Sequence, residues 1–143
     1  MIMKKAPIKT VLVVYMQPET PIVQKTLDIV QQALASVKYL QVDIRERNQV
    51  DYGCCWKKDL IITVGGDGTF LRATQFNTAA LMFGVNPDPE EKVGFFTRAT
   101  AKNFKQKLQL ILHGKFKTLQ LTRLQPAIDG KRIEPALNEV YFG

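Results

Sequence analysis

"DLIITVGGDGTFL", residues 59–71, sets a short apolar, β-branched run against three glycines with one aspartate among them. A run of this kind over 60–64 reads as a buried strand, and its stop at Gly65 marks a turn. From Thr69 to about Phe76 the residues suit a helix. Glycines admit unusual backbone angles and close approach of a ligand to the main chain. A helix N-terminus adds unpaired N–H groups and a favourable dipole. The stretch therefore predicts a strand–turn–helix unit that holds an anion. Asp67 would repel that anion, so it either caps the helix or serves a chemistry of its own. Two better-known phosphate loops are excluded. The P-loop needs a glycine, four intervening residues and then Gly-Lys-Ser/Thr, and no lysine is so placed. In a G-x-G-x-x-G fingerprint starting at Gly66, the third glycine position holds Leu71.

Working outward, "IKTVLVVY" (8–15) reads as a second buried strand. Thr20-Pro21 supplies an N-cap and a first-position proline. Val23, Leu27, Val30, Leu34 and Val37 then follow at helical spacing, which predicts an amphipathic helix over 21–38. "LQVDI" (40–44) alternates like an edge strand, and 45–52 reads as a surface loop. "LMFGVN" (81–86) is a further strand, closed by the turn-forming "NPDPEEK". Phe104, Leu108 and Ile111 or Leu112 give a helix over 100–113 an inward face, with Gly114 as its stop. This order predicts an α/β fold: an open, largely parallel sheet flanked by helices, forming a nucleotide-binding domain over 1–114. Beyond it the pattern turns to short alternating segments with Asp129-Gly130 as a hairpin signal. Residues 115–143 thus read as the first strands of a β-rich second domain, incomplete here. They would lean on the first domain, on another chain or on further sequence.

The 143 residues are 45% apolar and 23% charged, the balance of a globular chain, and the net charge of +7 favours an anionic partner. The basic residues are scattered, and no basic-aromatic signature accompanies them, so nucleic acid is not expected. Adjacent Cys54 and Cys55 suit neither a disulfide nor a metal site and point to a reducing compartment. No run approaches the roughly 20 apolar residues of a membrane span. A soluble intracellular protein is expected. Trp56 reads as a packing residue, and His113 as a cation favoured near a helix C-terminus.

"GGDGTFL" (65–71) resembles the signature of the NAD kinases. Its core is shared with diacylglycerol, sphingosine and 6-phosphofructo kinases. "FGVNPDPEEKVGFFT" (83–97) and "ALNEV" (136–140) resemble later motifs of the NAD kinases, in the family's order, and are most similar to its mitochondrial-type branch. The resemblance implies transfer of a phosphoryl group from ATP, or from polyphosphate, to the 2′-hydroxyl of the adenosine ribose of NAD, giving NADP. It also implies an α/β domain followed by a β-rich one, with NAD between them and much of its surface beyond Gly143. Carried over, Asp67 is the catalytic base and touches NAD together with Gly68. Arg72, placed in the first turn of the helix, binds the dinucleotide. Asn138 and Glu139 bind NAD through its ribose and adenine side, and Asn86 helps to position the ligand. Gly65, Gly66, Gly68 and Thr69 form the phosphate loop. Mg²⁺, or another divalent cation, enters with ATP and not through a cage of protein ligands. A homo-oligomer is implied, in the cytoplasm or alternatively the mitochondrial matrix. The alternatives are a non-catalytic nucleotide-binding fragment or homologue and a lipid kinase catalytic domain of the same superfamily.

Overall fold

A computed structural model describes residues 6–77, 79–133, 135 and 136. Its first strand, β1 (Thr10–Tyr15), is followed by α1 (Pro21–Ala35), β2 (Gln41–Glu46) and a 3₁₀ turn (Arg47–Gln49). Then come α2 (Tyr52–Cys55), β3 (Leu60–Val64), α3 (Asp67–Thr74), β4 (Leu81–Val85) and α4 (Phe104–Leu112). A two-stranded ribbon, β5 (Ala127–Ile128) and β6 (Lys131–Arg132), closes the described chain.

The four long strands form one parallel sheet in the order β2-β1-β3-β4. β1 and β3 are central, and side chains alternate between the two faces of the sheet. Val11, Val13, Ile62 and Val64 meet Leu27, Val30 and Leu34 of α1 and Phe104 and Leu108 of α4 on one face. Leu12, Val14 and Ile61 meet Val50, Cys55 and Ala73 on the other. Because both faces are covered, all five residues of β3 are buried and its sequence shows no alternation.

Local signals set the helix ends. The Thr20 hydroxyl accepts the N–H of Val23, and Pro21 opens α1. α1 ends at Ala35, earlier than the apolar spacing predicts, where the Ser36 hydroxyl donates to the Ala33 carbonyl. Residues 45–52 are more ordered than a surface loop. β2 runs on to Glu46, and the Asp51 carboxylate caps α2 by accepting the N–H of Cys54 at 2.8 Å. Cys55 is buried and Cys54 half-buried; burial above all pushes the Cys55 thiol up to about 12, so it stays protonated at neutral pH. Trp56 is 64% exposed, so the packing expected of it is not found. α4 begins at Phe104 and not at residue 100, because Asn103 folds back to accept the N–H of Thr100.

β4 is flanked by the chain at 96–99, which pairs Ala99 with Val85. This approach needs Gly84: a Cβ there would lie 3.0 Å from the Phe96 carbonyl oxygen and from the Thr97 Cα. At the end of the described chain, Asp129 (φ 51°) and Gly130 (φ 76°) make the expected hairpin turn between β5 and β6. Arg123 fastens this region to α3 by donating to the carbonyls of Thr74 and Asn77. Among the described residues no helix is long and apolar enough to cross a membrane.

Two stability predictions follow from particular contacts. Phe104 is fully buried and stacks on Phe83 with ring centroids 5.9 Å apart. Phe104→Ala should cost about 3–5 kcal/mol in a urea denaturation series. Asp59 ties the starts of β1 and β3 together, accepting from the Lys9 N–H (2.9 Å), the Thr10 N–H (3.0 Å) and the Thr10 hydroxyl (3.0 Å). Burial pushes its pKa up, yet these bonds outweigh burial and hold the carboxyl below its ordinary value. A depressed folded pKa stabilises fully above the unfolded value of about 3.9, and that stabilisation is lost as pH falls through the folded value. Stability measured against pH should therefore drop less steeply below about pH 4 in Asp59→Asn than in the unmodified chain.

Candidate functional site

β3 delivers the glycines to the C-terminal edge of the sheet, beside the point where strand order reverses between β1 and β3. Ligands of open α/β sheets bind in the crevice at that point. The Gly65 N–H donates to the Val85 carbonyl at 3.1 Å and so continues the sheet. It is not free for a phosphate, contrary to the role expected of it. Its bare Cα instead makes room for Thr69, whose Oγ1 would lie 2.5 Å from a Cβ at that position.

Gly66 is the extended N-cap of α3, which begins at Asp67, two residues before the predicted start. The first N–H groups of a helix have no carbonyl one turn behind them. Here those of Gly66, Asp67 and Gly68 find no acceptor among the described residues. The Gly66 carbonyl accepts from Thr69 (3.2 Å) and Phe70 (3.3 Å). Three successive donors are thus unpaired, and Thr69 beside them is buried with its hydroxyl without a partner among the described residues.

The Asp67 carboxylate does not cap α3. It reaches across to a second segment, accepting the Phe95 N–H on Oδ2 at 2.8 Å and the Phe96 N–H on Oδ1 at 3.0 Å. Phe96 stacks on Phe70 with centroids 5.2 Å apart and an interplanar angle of 2°, which closes the same link through apolar contact. Gly94 is tightly packed at this crossing, since a Cβ there would meet the Thr97 hydroxyl at 1.9 Å. The "GFFT" stretch carried a family likeness, but nothing in its residue types announced a tether to Asp67.

The other expected residues fall in different places. Asn86 is 5% exposed, and its amide is occupied in the turn after β4: Nδ2 donates to the Lys92 carbonyl, and Oδ1 accepts from the Asp88 N–H. Arg72 lies in the last turn of α3, not the first, because the helix starts early. Its guanidinium lies 5.1 Å from the Phe76 ring centroid and donates to Gln75, so the structure does not bring it to the glycine turn. Asn138 and Glu139 lie outside the described residues.

Two hollows flank the chain from Gly66 to Phe70. The larger, about 980 Å³, is lined by Phe70, Phe83, Phe95 and Phe96 and crossed by residues 115–123. The smaller, about 210 Å³, has Gly66, Gly68 and Thr69 on its wall and Arg47 and Lys92 among its other residues. Among the described residues, no cluster of three or more His, Cys, Asp or Glu side chains could hold a metal ion.

A parallel sheet with a glycine turn at its switch point, whose N–H groups have no acceptor among the described residues, defines the class as an open α/β domain. Comparison with known proteins makes this specific. The family model of the ATP-NAD kinase N-terminal domain matches residues 11–116, and the chain belongs to that family. A probable NADH kinase of Oryza sativa is 35% identical over 99 residues, covering 57% of this chain and 30% of that protein. The NAD kinase of Methanopyrus kandleri is 29% identical over 114 residues, 78% of this chain and 38% of that protein. Human mitochondrial NAD kinase 2 is 29% identical over 100 residues, 67% of this chain and 23% of that protein. The crystal structure of yeast NADH kinase complexed with NADH shares the fold: its TM-score is 0.71 at 18% identity, over 92% of this chain and 45% of that one. The chain thus spans less than half the length of each of these relatives.

The double acceptance at Asp67 can be tested by itself. An amide at this position retains one acceptor oxygen and turns an NH₂ toward the other N–H. Asp67→Asn should destabilise the fold by about 1–3 kcal/mol in urea, and exchange of the Phe95 and Phe96 amide protons should accelerate.

Proposed function

We propose that this chain supplies the catalytic α/β part of an NAD kinase, which moves a phosphoryl group from ATP or polyphosphate to the 2′-hydroxyl of the adenosine ribose of NAD or NADH. One observation carries the reading: the Asp67 carboxylate is held by the N–H groups of Phe95 and Phe96, which line the larger hollow, while its neighbours Gly66 and Gly68 line the smaller one with N–H groups that have no acceptor among the described residues. A donor phosphate chain suits the smaller hollow and the dinucleotide the larger one, with Asp67 at the junction.

The chemistry suits a carboxylate fixed in this way. Each Asp67 oxygen accepts one main-chain N–H and keeps a lone pair for a ribose hydroxyl. In the transfer, the ribose oxygen bonds to the terminal phosphorus as the bridging P–O bond breaks, and the leaving phosphate chain takes the electron pair. The hydroxyl proton passes to Asp67. Since the transition state is loose, the base has only to orient the hydroxyl and accept its proton as transfer proceeds. The Gly66 and Gly68 N–H groups would meet charge on the donor phosphates. Mg²⁺ or another divalent cation would neutralise phosphate charge and arrive with the donor.

In this reading residues 1–114 form the nucleotide-binding domain and 115–143 begin a β-rich domain that brings Asn138 and Glu139 to the ribose and adenine of NAD. The Arg123 link to the end of α3 supports such a junction. Asn86 acts through the turn it holds, and Arg72 reaches the dinucleotide only by leaving Phe76. Assembly as a homo-oligomer and residence in the cytoplasm or mitochondrial matrix rest on the family resemblance.

NADP formation from NAD and MgATP, followed in a coupled assay on the chain, tests the proposal. Asp67→Asn should lower turnover by about 10²–10⁴-fold while calorimetric NAD affinity changes only a few-fold. Near-normal turnover in that variant would remove Asp67 from the reaction. Binding of NAD with no turnover in the unmodified chain would favour a nucleotide-binding module.

A further inference from the structure

The two N–H groups that hold Asp67 belong to a segment with little support of its own. Residues 92–98 lie in neither helix nor strand, Val93 is 98% exposed and Phe95 64% exposed. We infer that Thr97 is a positioning residue for Asp67. Its β-branched side chain wedges this segment against β4 and so keeps the Phe95 and Phe96 N–H groups aimed at the carboxylate. The inference deepens the phosphoryl-transfer reading and rests on it for the effect on turnover; the hold on the segment stands apart from that reading.

Thr97 is buried between two glycines. At Gly84, in β4, a Cβ would lie 3.0 Å from the Thr97 Cγ2 and 3.0 Å from its Cα. At Gly94 a Cβ would lie 1.9 Å from the Thr97 Oγ1 and 3.3 Å from its Cβ. Each branch of the side chain thus fills the space where one glycine lacks a Cβ. Two heavy atoms on Cβ leave such a side chain few χ1 rotamers, so the contact it makes between β4 and Gly94 is stiff. The ends of the segment are fixed to β4 and its following turn by hydrogen bonds. Ala99 donates its N–H to the Gly84 carbonyl at 3.1 Å and accepts the Asn86 N–H at 2.8 Å. Asn86 Nδ2 donates to the Lys92 carbonyl at 2.7 Å. Thr97 supports the span between these ends, next to Phe96, whose ring is held from the other side by Phe70.

The Thr97 hydroxyl contributes shape and not a hydrogen bond, for it is buried and has no partner among the described residues. A methyl group of the same shape should therefore serve as well. Valine keeps both branches, serine keeps one, and alanine keeps neither. A misplacement of about 1 Å costs on the order of 10²-fold in rate, so slack in the segment is read in kcat and not in substrate affinity.

The test compares Thr97→Val, Thr97→Ser and Thr97→Ala by hydrogen exchange of single amides and by NADP formation from NAD and MgATP. Thr97→Val should stay within about twofold of the unmodified chain in both. Thr97→Ala should speed exchange of the Phe95 and Phe96 amides about tenfold, while the amides of β3 keep their rates. Its kcat should fall about 10–100-fold, with the KM for NAD and for MgATP within about twofold. Thr97→Ser should lie between, and it carries the comparison if Thr97→Ala does not fold. Unchanged exchange of Phe95 and Phe96 in the Ser and Ala variants overturns the wedge. Equal damage in Thr97→Val overturns it too, because the hydroxyl would then be what matters. So does acceleration that extends evenly through β3, which is the behaviour of an ordinary core residue. Selective exchange with kcat unchanged overturns the positioning role and leaves the kinase reading standing. Selective exchange in a chain that forms no NADP upholds the hold on Asp67 and removes the kinase reading.

Discussion

β3 is hydrogen-bonded along both edges and covered on both faces, so its polar main chain becomes available only where the strand ends. That constraint places everything else. Gly65 still belongs to the ladder through Val85, and the next three N–H groups have no acceptor among the described residues. Two parallel neighbours, β1 and β4, end at the same edge and bring their following loops alongside. A turn of unpaired N–H groups is the consequence of burying a parallel strand completely and then starting a helix.

The electrostatic difficulty of an aspartate in such a turn is met by geometry. Asp67 sits at the start of α3, where a negative charge is favourable, but its carboxylate is directed sideways to the Phe95 and Phe96 N–H groups. This leaves the N–H groups of the turn without an acceptor among the described residues. It also makes the aspartate a strut between α3 and the segment along β4, reinforced by the Phe70–Phe96 stack. Orientation of the carboxylate and closure of the fold are thus carried by the same two hydrogen bonds.

The scattered basic residues separate by structure into different kinds. Lys58 pairs with Asp43 beside the sheet, Arg123 caps carbonyls at the end of α3, and Arg72 lies over Phe76. Arg47 and Lys92, unremarkable in the sequence, line the hollow beside the glycine turn. A net charge of +7 alone could not distinguish these uses.

Much of the fold was legible from residue order. β-branched density marked the central strands, Thr20-Pro21 marked the start of α1, and Asp129-Gly130 marked the hairpin, because each signal is local and acts through backbone conformation. The glycine turn was legible for the same reason, and its likeness to NAD kinases rests on a contiguous stretch. Helix limits were less so: α3 starts at Asp67 because Gly66 takes the extended N-cap conformation, which moves Arg72 away from the turn. Only tertiary structure joined Asp67 to residues 28 and 29 positions later, occupied the Gly65 N–H, and brought Arg47 and Lys92 to one hollow. Such meetings depend on strand order and on how closely Gly84 lets a neighbouring segment approach. The sequence by itself determined where the backbone would be bare, because glycine acts through local conformation; the packed sheet decided which side chains would surround it.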